Sequence, residues 1–240
     1  MISASPSDTG LFYFPDCRFE EECLITEGEE ELNHLLRVMR KQAGDQIFVT
    51  DGKGQLIFGE IVSIAKKILT LKIIQKSQKM NPYGRFTVFL PILKNPDRFE
   101  FALEKSVELG FTDFLAVRYH HSIKPKVNLE RLQLKAVSAM KQSLRTFLPS
   151  VGYVDSLESG LQRGMVPLWF DQNAEKGLIK DFLDTGGNYS LVVGPEGGFS
   201  AQELDQLRNW ECFRTSDGRL RAETAVITAA SLLAYKIEFQ

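Results

Sequence analysis

The stretch Ser190-Leu-Val-Val-Gly-Pro-Glu-Gly-Gly-Phe-Ser-Ala-Gln-Glu-Leu204 decides the reading of this chain. Leu191, Val192 and Val193 form a short apolar run suited to a buried parallel strand, and Gly194, Gly197 and Gly198 follow at once with Pro195 and Glu196 between them. Ser200 and Glu203 have the Ser-x-x-Glu spacing of a capping box, which predicts a helix from about Ala201 with its free N–H groups turned back toward the glycines. Strand, glycine turn and helix start together describe a ligand cradle at the carboxyl edge of an α/β sheet. No Lys-Ser or Lys-Thr follows the glycines, which excludes a Walker loop. Their spacing is not that of the dinucleotide fingerprint, and Glu196 would face a pyrophosphate with like charge. A cationic or neutral ligand fits better.

Working outward, 240 residues with 43% hydrophobic side chains can hold one large domain, or a medium and a small one, around a real core. A formal charge of −2 gives no global basic field, so any nucleic-acid contact must come from local patches. Cys17, Cys23 and Cys212 are odd in number, lack metal-ligand spacing and follow no secretory signal, which reads as reduced thiols in a cytoplasmic protein without a metal. The apolar runs are far shorter than the ~20 residues of a membrane span.

Residues 1–76 carry short β-type runs at Leu11 to Phe14, Gln46 to Thr50, Gln55 to Val62 and Ile68 to Ile74, and predict a small β-barrel with Asp51-Gly52-Lys53-Gly54 as a hairpin turn. A helix from about Glu29 to Lys41 interrupts it, with Leu32, Leu35, Leu36 and Met39 as the buried stripe. Its acidic start and its basic end at Arg37, Arg40 and Lys41 suit the helix dipole, and the same cations are candidates for gripping phosphates. Residues 77–85 are polar, contain Pro82 and Gly84, and read as a linker.

From residue 86 to 240, strands alternate with helices. Thr87 to Leu93, Phe114 to Val117 and Val166 to Phe170 are predicted strands. Asn95-Pro96 should cap a helix that buries Phe99, Ala102, Leu103, Ser106 and Val107 and closes at Gly110. Asn128 to about Phe147 reads as one long helix, Ala174 to Asp184 as another, and Ala222 to Ile237 as a third whose small residues permit close helix contact, including across a dimer interface. Arg131 and Lys135 fit a solvated basic face, whereas Arg145 at the end of its helix can reach a neighbouring cleft. His120 and His121 lack a carboxylate or cysteine at ligand spacing and read as loop or groove residues.

The combination of Gly194-Pro-Glu-Gly-Gly-Phe-Ser200 with Leu220-Arg-Ala-Glu-Thr-Ala225 ahead of a small-residue helix closely resembles the SPOUT methyltransferases, specifically the bacterial enzymes that methylate N3 of a uridine in small-subunit ribosomal RNA. His34-Leu-Leu-Arg-Val-Met-Arg40, Gly44-Asp45 and Asp51-Gly52-Lys53-Gly54 are similar to that family's N-terminal PUA-like barrel, and Lys94 through Glu108-Leu109-Gly110 to its first catalytic-domain helix. Nearly the whole chain is covered. The resemblance implies an α/β fold with a trefoil-knotted parallel-sheet domain at 86–240, a rare exception to unknotted topology. It also implies a homodimer whose site is shared between subunits, acting on ribosomal RNA of the small subunit. S-adenosylmethionine would lie bent among three loops, with Phe170, Gly194, Pro195, Glu196, Gly198, Ser200, Leu220, Arg221, Glu223, Thr224 and Ala225 as its binding residues. The chain departs from the family pattern at Leu144, where glycine is usual, and at Ala222, where threonine is usual.

Methyl transfer from a sulfonium to N3 needs an in-line approach and loss of the N3 proton, with negative charge spreading onto the uracil O2 and O4. Arg145 is the expected catalytic residue, stabilising that charge; an always-protonated guanidinium is a poor base, and the base is water or a carboxylate such as Glu196 or Glu223. N3 lies on the Watson–Crick edge, so the target must be unpaired or flipped out, with Arg37, Arg40, Lys53 and Lys94 holding the surrounding RNA. The alternative is a non-catalytic RNA-binding or ribosome-assembly protein on the same fold.

Overall fold

The computed structural model describes residues 10–65, 67–123 and 127–239. The chain divides into two compact units, Met1–Asn81 with Met140–Leu148, and Pro82–Ala139 with Pro149–Gln240. Residues 140–148, which the sequence places in the second domain, therefore group with the first.

In the first unit, β1 (Leu11–Tyr13), β2 (Cys17–Glu20), β3 (Cys23–Glu27), β4 (Gln46–Thr50), β5 (Gln55–Ala65) and β6 (Ile68–Gln78) form one sheet in the order β1-β4-β5-β6-β3-β2. Asp51 makes the expected turn between β4 and β5, its Oδ1 accepting the Lys53 N–H at 2.7 Å and the Gln55 N–H at 3.2 Å. Alternate residues Ile57, Gly59 and Ile61 of β5 face inward around a bulge, and a Cβ on Gly59 would come within 2.8 Å of the Lys72 carbonyl oxygen. The β2–β3 hairpin was not foreseen, because its largely exposed Arg18, Phe19 and Glu20 follow no two-residue alternation.

The predicted helix over 29–41 is shorter and changes type. An α-helix, α1 (Glu29–Asn33), passes into a π turn at His34–Val38, where the Met39 N–H bonds back five residues to the His34 carbonyl. Leu32 and Leu35 are buried as predicted, but the wider turn rotates Leu36 and Met39 out to 44% and 41% exposure. The stripe is thus half right.

The second unit holds β7 (Phe86–Pro91), α2 (Pro96–Glu108), β8 (Asp113–Val117), α3 (Leu129–Gln142, whose last turn belongs to the first unit), β9 (Ser150–Val154), α4 (Leu157–Leu161), β10 (Val166–Phe170), β11 (Lys176–Gly177), α5 (Leu178–Asp181), β12 (Tyr189–Val193), α6 (Ala201–Leu207), β13 (Cys212–Arg214) and α7 (Ala222–Phe239). Its sheet is parallel throughout, in the order β11-β13-β10-β12-β7-β8-β9. Strand order reverses between β7 and β12, and a crevice at such a switch point is where open α/β sheets bind ligands. In α2, Asn95 Oδ1 accepts the Asp97 N–H at 2.8 Å, the predicted apolar face is buried, and Gly110 ends the helix at φ 108. Arg131 and Lys135 on α3 pair with Glu100 and Glu104 of α2 at 2.7 and 3.0 Å, surface contacts that solvent screens and that add little to stability. Ala229, Ala230 and Ala234 of α7 are buried within this unit, where α7 packs on α2, so the small residues serve packing inside the chain. The expected helix at 174–184 shrinks to α5, since Lys176 and Gly177 are drawn into the sheet as β11. Tyr83, at the start of the unit, donates its hydroxyl to Glu238 near the end of α7. Among the described residues the three cysteines are free thiols, and no helix is long and apolar enough to cross a membrane.

The long helix predicted over 128–147 stops at Gln142 for a definite reason. The Leu144 N–H bonds to the Lys141 carbonyl at 3.2 Å and the Arg145 N–H to the Met140 carbonyl at 2.9 Å, a Schellman ending in which Leu144 occupies the left-handed position at φ 59. Its side chain packs on the cluster of Leu11, Phe48 and Phe58, which offsets the backbone cost of about 1–2 kcal/mol that glycine would avoid. The chain then runs into the 51–54 turn: Leu148 N–H to Gly52 carbonyl at 2.8 Å, and Gly54 N–H to Thr146 carbonyl at 2.9 Å.

Two stability measurements follow from this junction. In urea titrations, Leu144→Gly should be more stable than Leu144→Ala by about 1 kcal/mol, the reverse of the helix-interior order, because only the left-handed strain separates the two. Gly54→Ala sets a Cβ 2.6 Å from the Phe147 ring at φ 95, and should lower stability by about 2–3 kcal/mol; a loss below 0.5 kcal/mol would show that the junction yields freely.

Candidate active site

Leu191, Val192 and Val193 of β12 are buried as the apolar run requires, and deliver Gly194 to the carboxyl edge of the sheet. The Gly198 N–H bonds to the Pro195 carbonyl at 2.9 Å, closing a tight turn in which Gly198 adopts φ 72. A Cβ at Gly194 would stand 3.1 Å from the Phe199 ring, whereas one at Gly198 would meet nothing within 4 Å. Gly194 is thus small because a ring lies on it, and Gly198 is glycine because of its backbone angle. Phe199 itself is wedged edge-on against Tyr119 and Trp169 at centroid distances of 5.6 and 6.1 Å.

The capping box forms as the spacing predicts. Ser200 Oγ accepts the Glu203 N–H at 3.3 Å, while Glu203 Oε2 accepts from the Ser200 N–H at 2.7 Å and the Ser200 hydroxyl at 2.9 Å. The other oxygen of the buried Glu203 carboxylate takes the His120 N–H at 2.8 Å, tying the loop after β8 to the start of α6. Burial and the nearby Glu203 charge push the Tyr119 phenol well above its ordinary range, so it stays protonated there.

A cavity of about 700 Å³ opens beside the glycine turn, within the size range of small-molecule sites. Three loops meet at it, following β10, β12 and β13. Phe170, Gly194, Pro195, Glu196 and Gly198 line it together with Leu220, Arg221, Glu223 and Ala225. Two expected binding residues do not: Ser200 caps α6, and Thr224 is exposed on the first turn of α7. Arg98, Asp171, Thr215, Ser216 and Arg219 join the lining without having been singled out in the sequence. Asp171 had a signal, as the first polar residue past a strand end, but nothing local marks Arg98, which the fold of α2 carries to the cavity.

Both carboxylates considered as bases are engaged. Glu196 Oε2 accepts the Lys94 backbone N–H at 3.1 Å, bracing the loop after β7 against the glycine turn. Glu223 has Oε1 3.6 Å from the Arg98 guanidinium, and its Oε2 is sealed from solvent without a hydrogen-bond partner. The expected RNA contacts Arg37, Arg40, Lys53 and Lys94 are all exposed, with Arg40 at φ 53. Arg145 is half-buried in the first unit and is not among the residues lining the cavity. Its alignment after Leu144 follows the Schellman ending, so the departure from glycine preserves a left-handed backbone instead of removing it. Ala222 is buried at the start of α7, where the first turn closes through Ala225 N–H to Arg221 carbonyl at 2.8 Å.

Comparison with known proteins agrees with this architecture. Residues 79–234 match an RNA methyltransferase domain and residues 27–74 an RNA methyltransferase PUA domain. The chain is 28% identical over 227 residues to the ribosomal RNA small subunit methyltransferase E of Bacillus subtilis, covering 87% of this chain and 89% of that one. Among solved structures it is similar to a probable rRNA-methyltransferase from Porphyromonas gingivalis, with 30% identity, a TM-score of 0.77, and 95% and 98% of the two chains covered. It is also similar to a ribosomal RNA small subunit methyltransferase E from Neisseria gonorrhoeae bound to S-adenosyl methionine, with 25% identity, a TM-score of 0.80, and 95% and 97% covered. With a parallel-sheet domain matched over most of its length and a PUA domain ahead of it, the chain belongs to the RNA methyltransferase family.

Proposed function

We propose that this protein transfers a methyl group from S-adenosylmethionine to N3 of a uridine in small-subunit ribosomal RNA. The observation that carries the reading is the cavity of about 700 Å³ where three loops converge on exposed backbone at Gly198, in a chain of the RNA methyltransferase family. The names of the Bacillus relative and of the methyl-donor-bound Neisseria structure support both substrates. The residues fit the donor. Open space over Gly198 lets a ligand approach the main chain, Phe170 and Leu220 offer apolar walls, and Glu196, Asp171 and Glu223 supply carboxylates for a cationic ligand. When bound, the donor supplies an electrophilic methyl group. Arg145 then serves to hold the uracil carbonyl oxygens as charge develops on them, a role worth about 3 kcal/mol when geometry is right.

Arg37, Arg40 and Lys53 on the first unit and Lys94 on the second hold RNA phosphates, positioning a structured substrate while one unpaired base enters the site. The same reading gives the second unit a trefoil knot, as the resemblance to the SPOUT methyltransferases implies. It makes the protein a cytoplasmic homodimer, and exposed Tyr235 and Phe239 on α7 offer apolar surface for a partner copy.

Calorimetry and a methylation assay test this. The wild type should bind S-adenosylmethionine but neither ATP nor NAD, and Gly198→Val, which forces a branched residue to φ 72, should lose at least tenfold in that affinity while keeping its circular dichroism. Arg145→Ala should lower kcat on ribosomal RNA about 100-fold with donor affinity unchanged; equal activity would remove Arg145 from the reaction. In RNA-binding titrations, Arg37→Ala with Arg40→Ala should reduce the slope of log affinity against log salt by about 2.

A further inference from the structure

The loop after β8 brings an unassigned imidazole to the glycine turn. His121 Nδ1 lies 3.1 Å from the Gly198 carbonyl oxygen, and a Cβ on Gly197 would come within 2.8 Å of the His121 Cβ. The missing side chain at Gly197 is what lets the histidine sit there. Its loop is fixed on both sides: the His120 N–H is held by Glu203, and the Ser122 hydroxyl oxygen accepts the Tyr119 N–H at 3.1 Å while the Ser122 N–H bonds to the Tyr119 carbonyl at 3.0 Å. The His120 ring meets the His121 ring edge-on at 5.0 Å.

A carbonyl oxygen can only accept, so the nitrogen facing Gly198 must carry the proton. In the neutral ring the other nitrogen, Nε2, is then a bare acceptor on an exposed side chain. Gly198 lines the cavity and the exposed His121 ring sits on its carbonyl, so the imidazole is one residue's width from the candidate donor site and open to a substrate. The three carboxylates at the cavity are less suited: Glu196 braces the Lys94 amide, Asp171 Oδ1 accepts the Asn173 N–H at 2.8 Å, and the free oxygen of Glu223 is sealed from solvent.

We propose that His121 Nε2 takes the N3 proton of the target uridine, with Gly198 fixing its tautomer; this rests on the uridine-N3 reading above. The N3–H bond breaks and its proton passes to Nε2, the N3 electron pair forms the bond to the transferred methyl carbon, and the carbon–sulfur bond of the donor breaks with its pair kept on sulfur. An imidazole is the side chain whose proton exchange is centred nearest neutrality, as a general base for this step requires.

Nitrogen-15 NMR of the ligand-free protein should show His121 protonated at Nδ1 and bare at Nε2 in its neutral form; the opposite tautomer overturns the proposal. His121→Gln keeps an N–H for the Gly198 carbonyl but cannot take a proton. It should lower kcat about 100-fold or more with donor affinity, by calorimetry, within twofold of wild type. His121→Ala should recover activity in proportion to added imidazole, and its deficit should shrink on RNA carrying 5-fluorouridine, whose N3 is more acidic. Wild-type kcat in His121→Gln, a loss confined to donor affinity, or an equal deficit on both RNAs overturns the assignment, as does the same fluorouridine signature in Glu196→Gln. Should wild-type enzyme leave no 3-methyluridine at all, the reaction itself is misread and the proposal falls with it.

Discussion

A single buried carboxylate holds the working end of the sheet together. Glu203 accepts from the Ser200 N–H, the Ser200 hydroxyl and the His120 N–H, so one charge ties the glycine turn, the first turn of α6 and the loop after β8. Burying an ionised group is unfavourable unless its oxygens are satisfied, and here three donors satisfy them. Because those donors come from two separate loops, neither loop can shift without leaving a carboxylate oxygen unpaired. The placement of His121, the residue after His120, depends on these hydrogen bonds.

Around that centre the glycines of the turn serve different ends. Gly194 makes room for the Phe199 ring and Gly198 supplies a backbone angle that branched residues resist. Two of the carboxylates at the cavity already have partners in the protein, Glu196 the Lys94 amide and Glu223 the Arg98 guanidinium. Those two groups are therefore oriented before anything binds, which spares the site that reorganisation.

Local chemistry was legible in the sequence where it acts over a few residues. The capping box at Ser200 and Glu203, the Asn95 cap with Gly110 as stop, and the turn at Asp51 to Gly54 each rest on contacts within a short span, and each forms as the spacing predicts. Departures arise where distant partners decide. Leu36 and Met39 have helical spacing, but a π turn rotates them outward; Leu144 halts α3 because an aromatic cluster from β4 and β5 receives its side chain. Lys176 and Gly177 join the sheet through β13, far along the chain, so propensity alone reads them as helix. Much of the cavity was foreseen through its glycine and arginine loops, but Arg98 was not, since only the direction of α2 brings it there.

The hydroxyl of Tyr83 reaches Glu238 at the far end of α7, which sets the two extremities of the methyltransferase unit side by side. That contact spans 155 positions of the chain, so the unit's first and last stretches are held in one packed body. It also means that shaving the last turn from α7 would strip a buried tyrosine of its acceptor at the opposite end of the unit, so an apparently peripheral tail is coupled to the point where the fold begins.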